Sequence, residues 1–242
     1  MIRQSRPTVL ITRPMAQSLR FGAMIAQRFR DLPHIISPLL APRFLGFVPK
    51  TAHYAAVIFT SETGVAGAVR AGFAAQTAYC VGARTAVAAR AAGYVARSAE
   101  GDWRDLAALI CAERPAGPLL FLCAQEAPAH LENVLRQAGF DVQRANIYAQ
   151  DLQPFTPEAR ALLAQDQPVL AVLFSPRSAQ LFCTAAHGCA APLWVAAFSD
   201  NVAAEVTLPH AAMNVAHRPN SAAMLDAVAA LLENSPAGRP DP

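Results

Sequence analysis

Residues 57–63 read VIFTSET, and residues 172–178 read VLFSPRS. In each stretch an apolar run stops abruptly at hydroxyl side chains, and a stretch typical of a helix follows. Runs that are apolar at consecutive positions are expected for strands of a parallel sheet that is covered on both faces. The chain therefore contains the same strand-to-helix corner twice, and this pattern predicts an α/β fold with parallel sheets.

The alternation of strand-like and helix-like segments continues along the chain. The segments with strand composition are 9–12, 33–37, 56–60, 78–81, 94–98, 119–123, 141–148, 170–175, 193–198 and 213–217. The segments with helix composition are 16–29, 62–71, 84–92, 103–112, 128–138, 157–165, 177–186, 200–206 and 221–233. Ten strands are too many for one small sheet, so the sequence predicts two five-stranded sheets.

The repeat extends beyond the two corners. VGARTAVAARAAGY begins at residue 81 and follows the first corner, and AFSDNVAAEVTLP begins at residue 197 and follows the second at nearly the same distance. A strand–helix–strand unit, called unit A, precedes each corner. Each corner and the segment that follows it form unit B, so the chain has the order A, B, A, B.

Two assemblies are consistent with this order. In one, the chain divides near Pro115 into two consecutive domains. In the other, the first unit A and the last unit B form one domain, and the middle units B and A form a second domain that is inserted into it. The second assembly has a discontinuous α/β domain of 1–36 and 152–242, an inserted α/β domain of 41–147, and connector strands at 35–42 and 146–154. The residue pattern alone leaves both assemblies open.

The composition excludes several classes of protein. The chain has 242 residues, of which 54% are hydrophobic, but no apolar run approaches the roughly 20 residues that cross a bilayer. The first residues show no signal-peptide pattern, so we expect a cytoplasmic protein without a membrane partner. The net charge of +3 is too small to indicate a nucleic-acid partner.

Motifs for metals, nucleotides and disulfides are missing from the sequence. The five cysteines are an odd number without a CxxC pair, which indicates neither a disulfide framework nor a zinc site. Neither GxxxxGK[ST] nor GxGxxG occurs. We therefore expect no metal and no cofactor, and a nucleotide-using enzyme is disfavoured.

Hydroxyl or glycine residues follow five of the predicted strands. In an open parallel sheet, ligands bind outside the carboxyl ends of the strands. A serine or threonine there caps the next helix, and the free N–H groups of the helix can bind an anion. A single corner of this kind is best explained as a helix cap. Five of them on two sheets make binding of an anionic ligand as good an explanation as capping alone. The corners are 12–14, 60–62, 82–85, 175–177 and 199–202.

These segments occur in an order that resembles the uroporphyrinogen-III synthase family over about residues 8–233. The resemblance rests on VLITRP, IFTSETGV, CVGARTAVAARAAGY, a strand–helix–strand unit ending in IY, VLFSPRSAQLF and HRPNSAAMLDAVAAL. It implies two flavodoxin-like parallel-sheet domains that face each other across a cleft and are joined by a two-stranded β connector. It favours the nested assembly, and it implies a monomer without cofactor or metal.

The resemblance also implies a reaction. The substrate would be hydroxymethylbilane, an open-chain tetrapyrrole that carries several carboxylates. Loss of its terminal hydroxyl as water, followed by closure through a spiro intermediate, would give uroporphyrinogen III with the terminal (D) ring inverted. Catalysis of this kind depends mostly on holding the folded chain in one orientation.

Site residues follow from the matching positions of this sequence. Tyr148 in NIYAQ is implied as the general acid for the leaving hydroxyl. The positions implied to meet the substrate carboxylates are Arg13, Thr60, Ser61, Gly82, Arg84, Thr85, Ser175, Pro176, Arg177 and Asn201. Arg104 and Arg144 are weaker candidates, and Ser221 is expected only to cap the last helix.

The sequence departs from the family pattern at four places. Ser199 and Val202 replace a usual Gly and Thr, and Cys123-Ala124 replaces a common Arg/Gly pair. Glu62 adds a negative charge to a corner that would bind carboxylates. An alternative function therefore stays open, namely a catalytically degenerate relative that binds or senses a small anion.

Overall fold

The computed structural model describes residues 6–47, 53–73 and 76–233. Strands and helices alternate along most of this part of the chain. In chain order they are β1 (Thr8–Ile11), α1 (Met15–Arg28), β2 (His34–Ile36), β3 (Leu40–Phe44), β4 (Ala56–Phe59), α2 (Glu62–Arg70), β5 (Thr77–Cys80), α3 (Ala83–Ala91), β6 (Val95–Ser98), α4 (Trp103–Glu113), β7 (Leu119–Ala124), α5 (His130–Gln137), β8 (Val142–Leu152), α6 (Pro157–Leu163), β9 (Val169–Leu173), α7 (Pro176–Ala185), β10 (Leu193–Ala197), α8 (Asp200–Ala203), β11 (Ala212–Val215) and α9 (Ser221–Glu233).

The chain divides into two compact units. The first unit combines Met1–Ala41 with Leu152–Pro242, and the second is Pro42–Asp151. The chain therefore leaves the first unit within β3 and returns to it at the end of β8.

The two crossing strands run antiparallel to each other. The N–H of Leu45 donates to the carbonyl of Ile147, and the N–H of Gln153 donates to the carbonyl of Leu39. As one strand advances from 39 to 45, its partner runs from 153 back to 147. The two crossings of the chain are therefore held together by backbone hydrogen bonds.

The first unit has a five-stranded sheet with the order β11-β10-β9-β1-β2. All its pairings are parallel. Because side chains alternate across a strand, neighbouring residues enter different cores. Leu10 and Ala171 pack in a core with residues of α6 and α7, whereas Val9 and Leu170 pack with residues of α1 and α9. Helices thus cover both faces of the sheet.

The second unit has a six-stranded sheet with the order β3-β8-β7-β4-β5-β6. From β8 to β6 the pairings are parallel. Val57 and Phe59 pack with residues of α2 and α3, and Ile58 packs with residues of α4 and α5 on the other face. This unit therefore repeats the layered arrangement of the first.

The structure contains a strand or a helix in every segment that the sequence predicts, and β3 overlaps the end of the predicted connector strand 35–42. The sheets have five and six strands rather than five each, because β3 extends the edge of the second. Pro42 lies within β3, and a proline is tolerated in an edge strand because one side of that strand forms no ladder hydrogen bonds. The predicted strand 141–148 and the connector strand 146–154 are one continuous strand, β8.

The predicted role of Ser221 as an N-cap is wrong. Helix α9 begins at Ser221 itself, and the side-chain oxygen of Asn220 accepts the N–H of Ala223 at 2.9 Å. Asn220 is thus the residue that caps α9. Asparagine and serine are both common caps, so composition alone did not separate these neighbours.

Replacement of Asn220 by Ala should lower the free energy of unfolding by about 1 kcal/mol, because an N–H at the start of α9 loses its acceptor. Ser221→Ala is the matched control and should leave the urea midpoint unchanged. A larger loss for Ser221→Ala than for Asn220→Ala would contradict this assignment.

Candidate functional site

The strand order of each sheet reverses at one place. In the first unit it reverses between β1 and β9, and in the second between β7 and β4. Ligands of open α/β sheets bind at such switch points, outside the carboxyl ends of the strands. The stretch 172–178 includes the end of β9, and the stretch 57–63 includes the end of β4. The two repeated corners therefore lie at the switch points of their own sheets.

In the first unit, Ser175 caps helix α7. Its hydroxyl oxygen accepts the N–H of Ser178 at 3.1 Å, and the hydroxyl oxygen of Ser178 accepts the N–H of Ser175 at 3.0 Å. Pro176 is the first residue of the helix, where its missing N–H costs nothing. Ser178 was not among the predicted site residues, although the Ser-x-x-Ser spacing resembles a capping box.

Aromatic rings support Arg13 at the same switch point. The guanidinium carbon of Arg13 lies 3.9 Å from the centre of the Phe174 ring. Phe174 in turn contacts Phe21 edge-on, with centroids 4.9 Å apart, and Phe198 at 5.2 Å. Phe174 was not singled out from the sequence, because only the fold places it beside Arg13.

The first unit thus brings cationic and hydrogen-bonding groups to one edge of its sheet. Arg13 follows β1, and Arg177 is partly exposed in the first turn of α7. Arginine side chains and a helix N-terminus are groups that bind carboxylates. Asn201 is exposed in α8, a helix of only 4 residues.

In the second unit, the structure brings Ser61 and Tyr148 together. The hydroxyl oxygens of the two side chains are 3.0 Å apart. The Ser61 oxygen also accepts the N–H of Gly64 at 2.9 Å and so caps α2. Strand β7 lies between β8 and β4 and ends at Ala124, which is paired with Tyr148. Tyr148 thus reaches the corner at the end of β4.

Tyr148 is 5% exposed and packs in the core that α2 and α3 share with the sheet. Burial raises the pKa of Tyr148, and the hydrogen bond with Ser61 opposes that rise. The nearby Cys123 thiol and Glu126 carboxyl also raise this pKa, and Gln150 lowers it. The phenol is therefore protonated at neutral pH and is available as a proton donor.

The raised pKa of Tyr148 predicts a loss of stability in alkali. The folded state holds the phenolic proton more tightly than the unfolded chain, whose ordinary tyrosine pKa is about 10. This contribution is complete below pH 10 and is lost as the pH rises through the folded pKa. Urea unfolding at a series of alkaline pH values should show a shallower decline for Tyr148→Phe than for the wild type.

The remaining predicted residues of this unit are Thr60, which directly follows β4, and Gly82, Arg84 and Thr85 at the start of α3. Gly82 precedes the helix with an extended φ of −155°, and a Cβ at this position would meet nothing within 4 Å. Arg84 is exposed, and Thr60 is partly exposed. Thr85 is 6% exposed. Arg84 is thus the most exposed of these side chains, and Thr85 is the most buried.

A protein-family model described as uroporphyrinogen-III synthase HemD matches residues 34–226. The chain belongs to the uroporphyrinogen-III synthase family. The match runs from β2 into α9, so it includes strands of both sheets. Uroporphyrinogen-III synthases are enzymes of tetrapyrrole synthesis.

Solved structures are similar to this fold. The crystal structure of uroporphyrinogen-III synthetase from Helicobacter pylori has a TM-score of 0.67 at 15% identity, over 93% of this chain and 99% of that chain. A mutant uroporphyrinogen III synthase from Thermus thermophilus has a TM-score of 0.49 at 16% identity, over 94% and 100% of the two chains. No curated protein matches the chain significantly.

Two departures from the uroporphyrinogen-III synthase pattern have structural roles. Val202 is 1% exposed and packs in the core of the first unit. Cys123 is buried with its sulfur 3.7 Å from the side-chain oxygen of Asn146, and burial raises the pKa of its thiol to about 11. A thiol with this pKa is protonated at neutral pH, as expected for a cysteine that packs in the core.

The other departures lie at helix starts. Glu62 is the first residue of α2, where a carboxylate interacts favourably with the helix dipole. Ser199 precedes α8 and forms no side-chain capping bond.

The two weaker arginine candidates differ in their surroundings. Arg144 donates to the carbonyls of Ala124, Gln125 and Ala127 at 3.2, 3.4 and 2.8 Å. It also lies 3.5 Å from the carboxylate of the buried Glu132. Arg144 therefore organises the turn after β7. Arg104 is largely exposed and pairs with Asp102 at 2.9 Å.

Metal-ligating side chains do not cluster in the part of the chain that the structure describes. Among residues 6–47, 53–73 and 76–233, no group of three or more His, Cys, Asp or Glu residues is arranged to hold a metal ion. Within the same ranges, every helix is too short or too polar to cross a membrane.

Proposed function

We propose that this protein is a uroporphyrinogen-III synthase, a cyclising hydro-lyase that converts hydroxymethylbilane into uroporphyrinogen III with inversion of the terminal (D) ring through a spiro intermediate. The observation that carries the proposal is the family match over residues 34–226. That stretch includes both members of the repeated corner and Tyr148. The chain would thus catalyse one step of haem and tetrapyrrole biosynthesis.

The domain arrangement is part of this proposal. The proposed domains are two flavodoxin-like parallel-sheet domains. Counted in chain order within its unit, the first sheet has the strand order 2-1-3-4-5 of flavodoxin-like folds, whereas the strands β4 to β8 of the second sheet have the order 3-2-1-4-5, a circular permutation of it. The division of the chain at 41/42 and 151/152 supports a nested assembly. The proposed parts are a discontinuous domain of 1–36 and 152–242, an inserted domain of 41–147, and connector strands at 35–42 and 146–154.

The substrate carboxylates would bind at the carboxyl edges of the two sheets. Arg13, Arg177 and the N-terminus of α7 supply charge and N–H groups on the first sheet. Guanidinium groups bind carboxylates through two parallel hydrogen bonds, which fixes orientation as well as charge. The full set proposed for substrate binding is Arg13, Thr60, Ser61, Gly82, Arg84, Thr85, Ser175, Pro176, Arg177 and Asn201.

Tyr148 would act as the general acid. Its phenolic proton would pass to the terminal hydroxyl of the substrate, the C–O bond would break, and water would leave with both bonding electrons. The resulting azafulvene cation would be attacked by the substituted carbon of the far pyrrole ring, giving the spiro intermediate. Fragmentation and reclosure release one proton from the ring system, so the net change is loss of one water.

The organic chemistry requires no cofactor, since the substrate itself supplies both the leaving group and the nucleophile. We propose that the protein acts as a monomer in the cytoplasm, with the small-molecule substrate as its partner and without a nucleic acid. Orientation of the two ends of the bilane is then the main source of rate enhancement.

The proposal is tested by supplying hydroxymethylbilane and separating the uroporphyrinogen isomers that form. We expect the inverted isomer III in the presence of the protein. A protein-free reaction is the control and should give the uninverted isomer. If the protein yields only the uninverted isomer, the proposed activity is wrong.

A second function is favoured by the departures at Glu62, Ser199 and Cys123-Ala124. These changes alter positions at two of the corners and at the end of β7. A catalytically degenerate relative would bind or sense a small anion, for which the bilane is a suitable probe, without closing the bilane. Saturable binding of hydroxymethylbilane, measured together with formation of only the uninverted isomer, would support this second function.

A further inference from the structure

The hydroxyl of Ser61 contacts two groups that belong to different parts of the second unit. It accepts the N–H of Gly64 at 2.9 Å, and it lies 3.0 Å from the hydroxyl oxygen of Tyr148. Ser61 and Tyr148 are 87 residues apart in the chain. The serine therefore links the first turn of α2 to the proposed acid on β8.

This link matters when the phenol gives up its proton. A tyrosinate in a buried site is unfavourable, because the protein replaces the water that would solvate the charge. A hydrogen bond donated to the oxygen favours the charged form. Ser61 has one hydroxyl hydrogen, and acceptance of the Gly64 N–H polarises the hydroxyl so that it donates more strongly.

The position of α2 adds to this effect. The helix has 9 residues, and its N-terminus carries a partial positive charge that favours a nearby anion. Ser61 stands between this charge and the phenolic oxygen. Of the titratable groups beside the phenol, the Cys123 thiol and the Glu126 carboxyl both act against the tyrosinate. Ser61 and Gln150 are the neighbours that favour it.

We propose that Ser61 is a positioning residue for Tyr148, and that it donates its hydroxyl hydrogen to the phenolic oxygen while the phenolic proton moves to the substrate. This role rests on the proposed function, and it differs from a contact between Ser61 and a substrate carboxylate. The phenolic hydrogen is then directed away from Ser61 and toward the leaving hydroxyl. No bond other than those of the acid step is made or broken.

The test compares the wild type, Ser61→Ala, Tyr148→Phe and the double variant. Ser61→Ala should lower kcat about tenfold with little change in KM, since one hydrogen bond to the tyrosinate is lost. In the Tyr148→Phe background, Ser61→Ala should have no further effect on kcat. Ser61→Thr keeps the hydroxyl and should restore most of the rate.

Two further measurements separate positioning from folding. Ser61→Asp retains a good N-cap for α2 but has no hydrogen to donate, so it should fold and still lose kcat. Alkaline titration of tyrosinate absorbance should give a higher pKa for Tyr148 in Ser61→Ala than in the wild type, with Tyr148→Phe identifying the relevant signal.

Three results would overturn the positioning role in an active enzyme. They are a rise in KM at constant kcat for Ser61→Ala, an equal loss of kcat with and without Tyr148, and a Tyr148 pKa that Ser61→Ala does not change. Wild-type protein that forms only the uninverted isomer would instead overturn the proposed function, and the positioning role with it.

Discussion

Replacement of Tyr148 by Phe should lower kcat for uroporphyrinogen III formation by about 100-fold or more, which is the usual effect of removing a general acid. The phenyl ring retains the packing of Tyr148 in its core, so the variant should fold. Only the proton donor at 3.0 Å from Ser61 is lost. Steady-state kinetics with separation of the isomers measures the effect.

Tyr94→Phe is the matched control. Tyr94 is buried in the same core and packs edge-on against Phe59, with ring centroids 5.3 Å apart. Its hydroxyl donates to the carbonyl of Phe73 at 3.4 Å, and burial raises its pKa as well. Tyr94→Phe should retain wild-type turnover. Unchanged turnover of Tyr148→Phe would remove Tyr148 as the acid.

Replacement of Arg144 by Met should lower the free energy of unfolding by about 2 kcal/mol, because the buried Glu132 carboxylate loses one of its two arginine partners and the turn after β7 loses a hydrogen-bond donor. Glu132 is 8% exposed, and its carboxylate lies 3.5 Å from Arg144 and 3.4 Å from Arg136. The carbonyls of Ala124, Gln125 and Ala127 would also lose their hydrogen bonds from Arg144. Urea denaturation measures the loss.

Arg104→Met is the control for the loss of a cation. Arg104 is largely exposed, so the unfolding midpoint of this variant should equal that of the wild type. Adding Glu132→Gln to Arg144→Met should recover part of the lost stability, since a buried carboxylate with only one remaining cationic partner is removed. If Arg144→Met instead raises KM and leaves stability unchanged, Arg144 contacts the substrate rather than the turn.

Local patterns in the sequence were sufficient for most secondary structure. AVIF and VLAVL are apolar at successive positions, and each is a fully buried strand of a parallel sheet. Ser61 and Ser175 cap the helices that follow, as their positions after strands predict. In these cases the deciding interactions lie within a few residues of each other.

Segments in which two local preferences compete were harder to predict. The segment Leu40–Phe44 contains Pro42, which argues against a central strand, and only pairing with β8 makes it an edge strand. Asn220 and Ser221 are both good capping residues, and the register of α9 decided between them. The outcome in each case depends on a neighbour that the local sequence does not specify.

The sequence by itself determined the alternation of strands and helices, the repeated corner and the candidate residues at the ends of the strands. Tertiary structure alone decided the strand orders, the division of the chain into units, and the contacts of Ser61 with Tyr148 and of Arg13 with Phe174. The physical reason is the range of the interactions. Helix capping and side-chain periodicity act over a few residues, whereas sheet order follows from burial of apolar strands that are far apart in the chain.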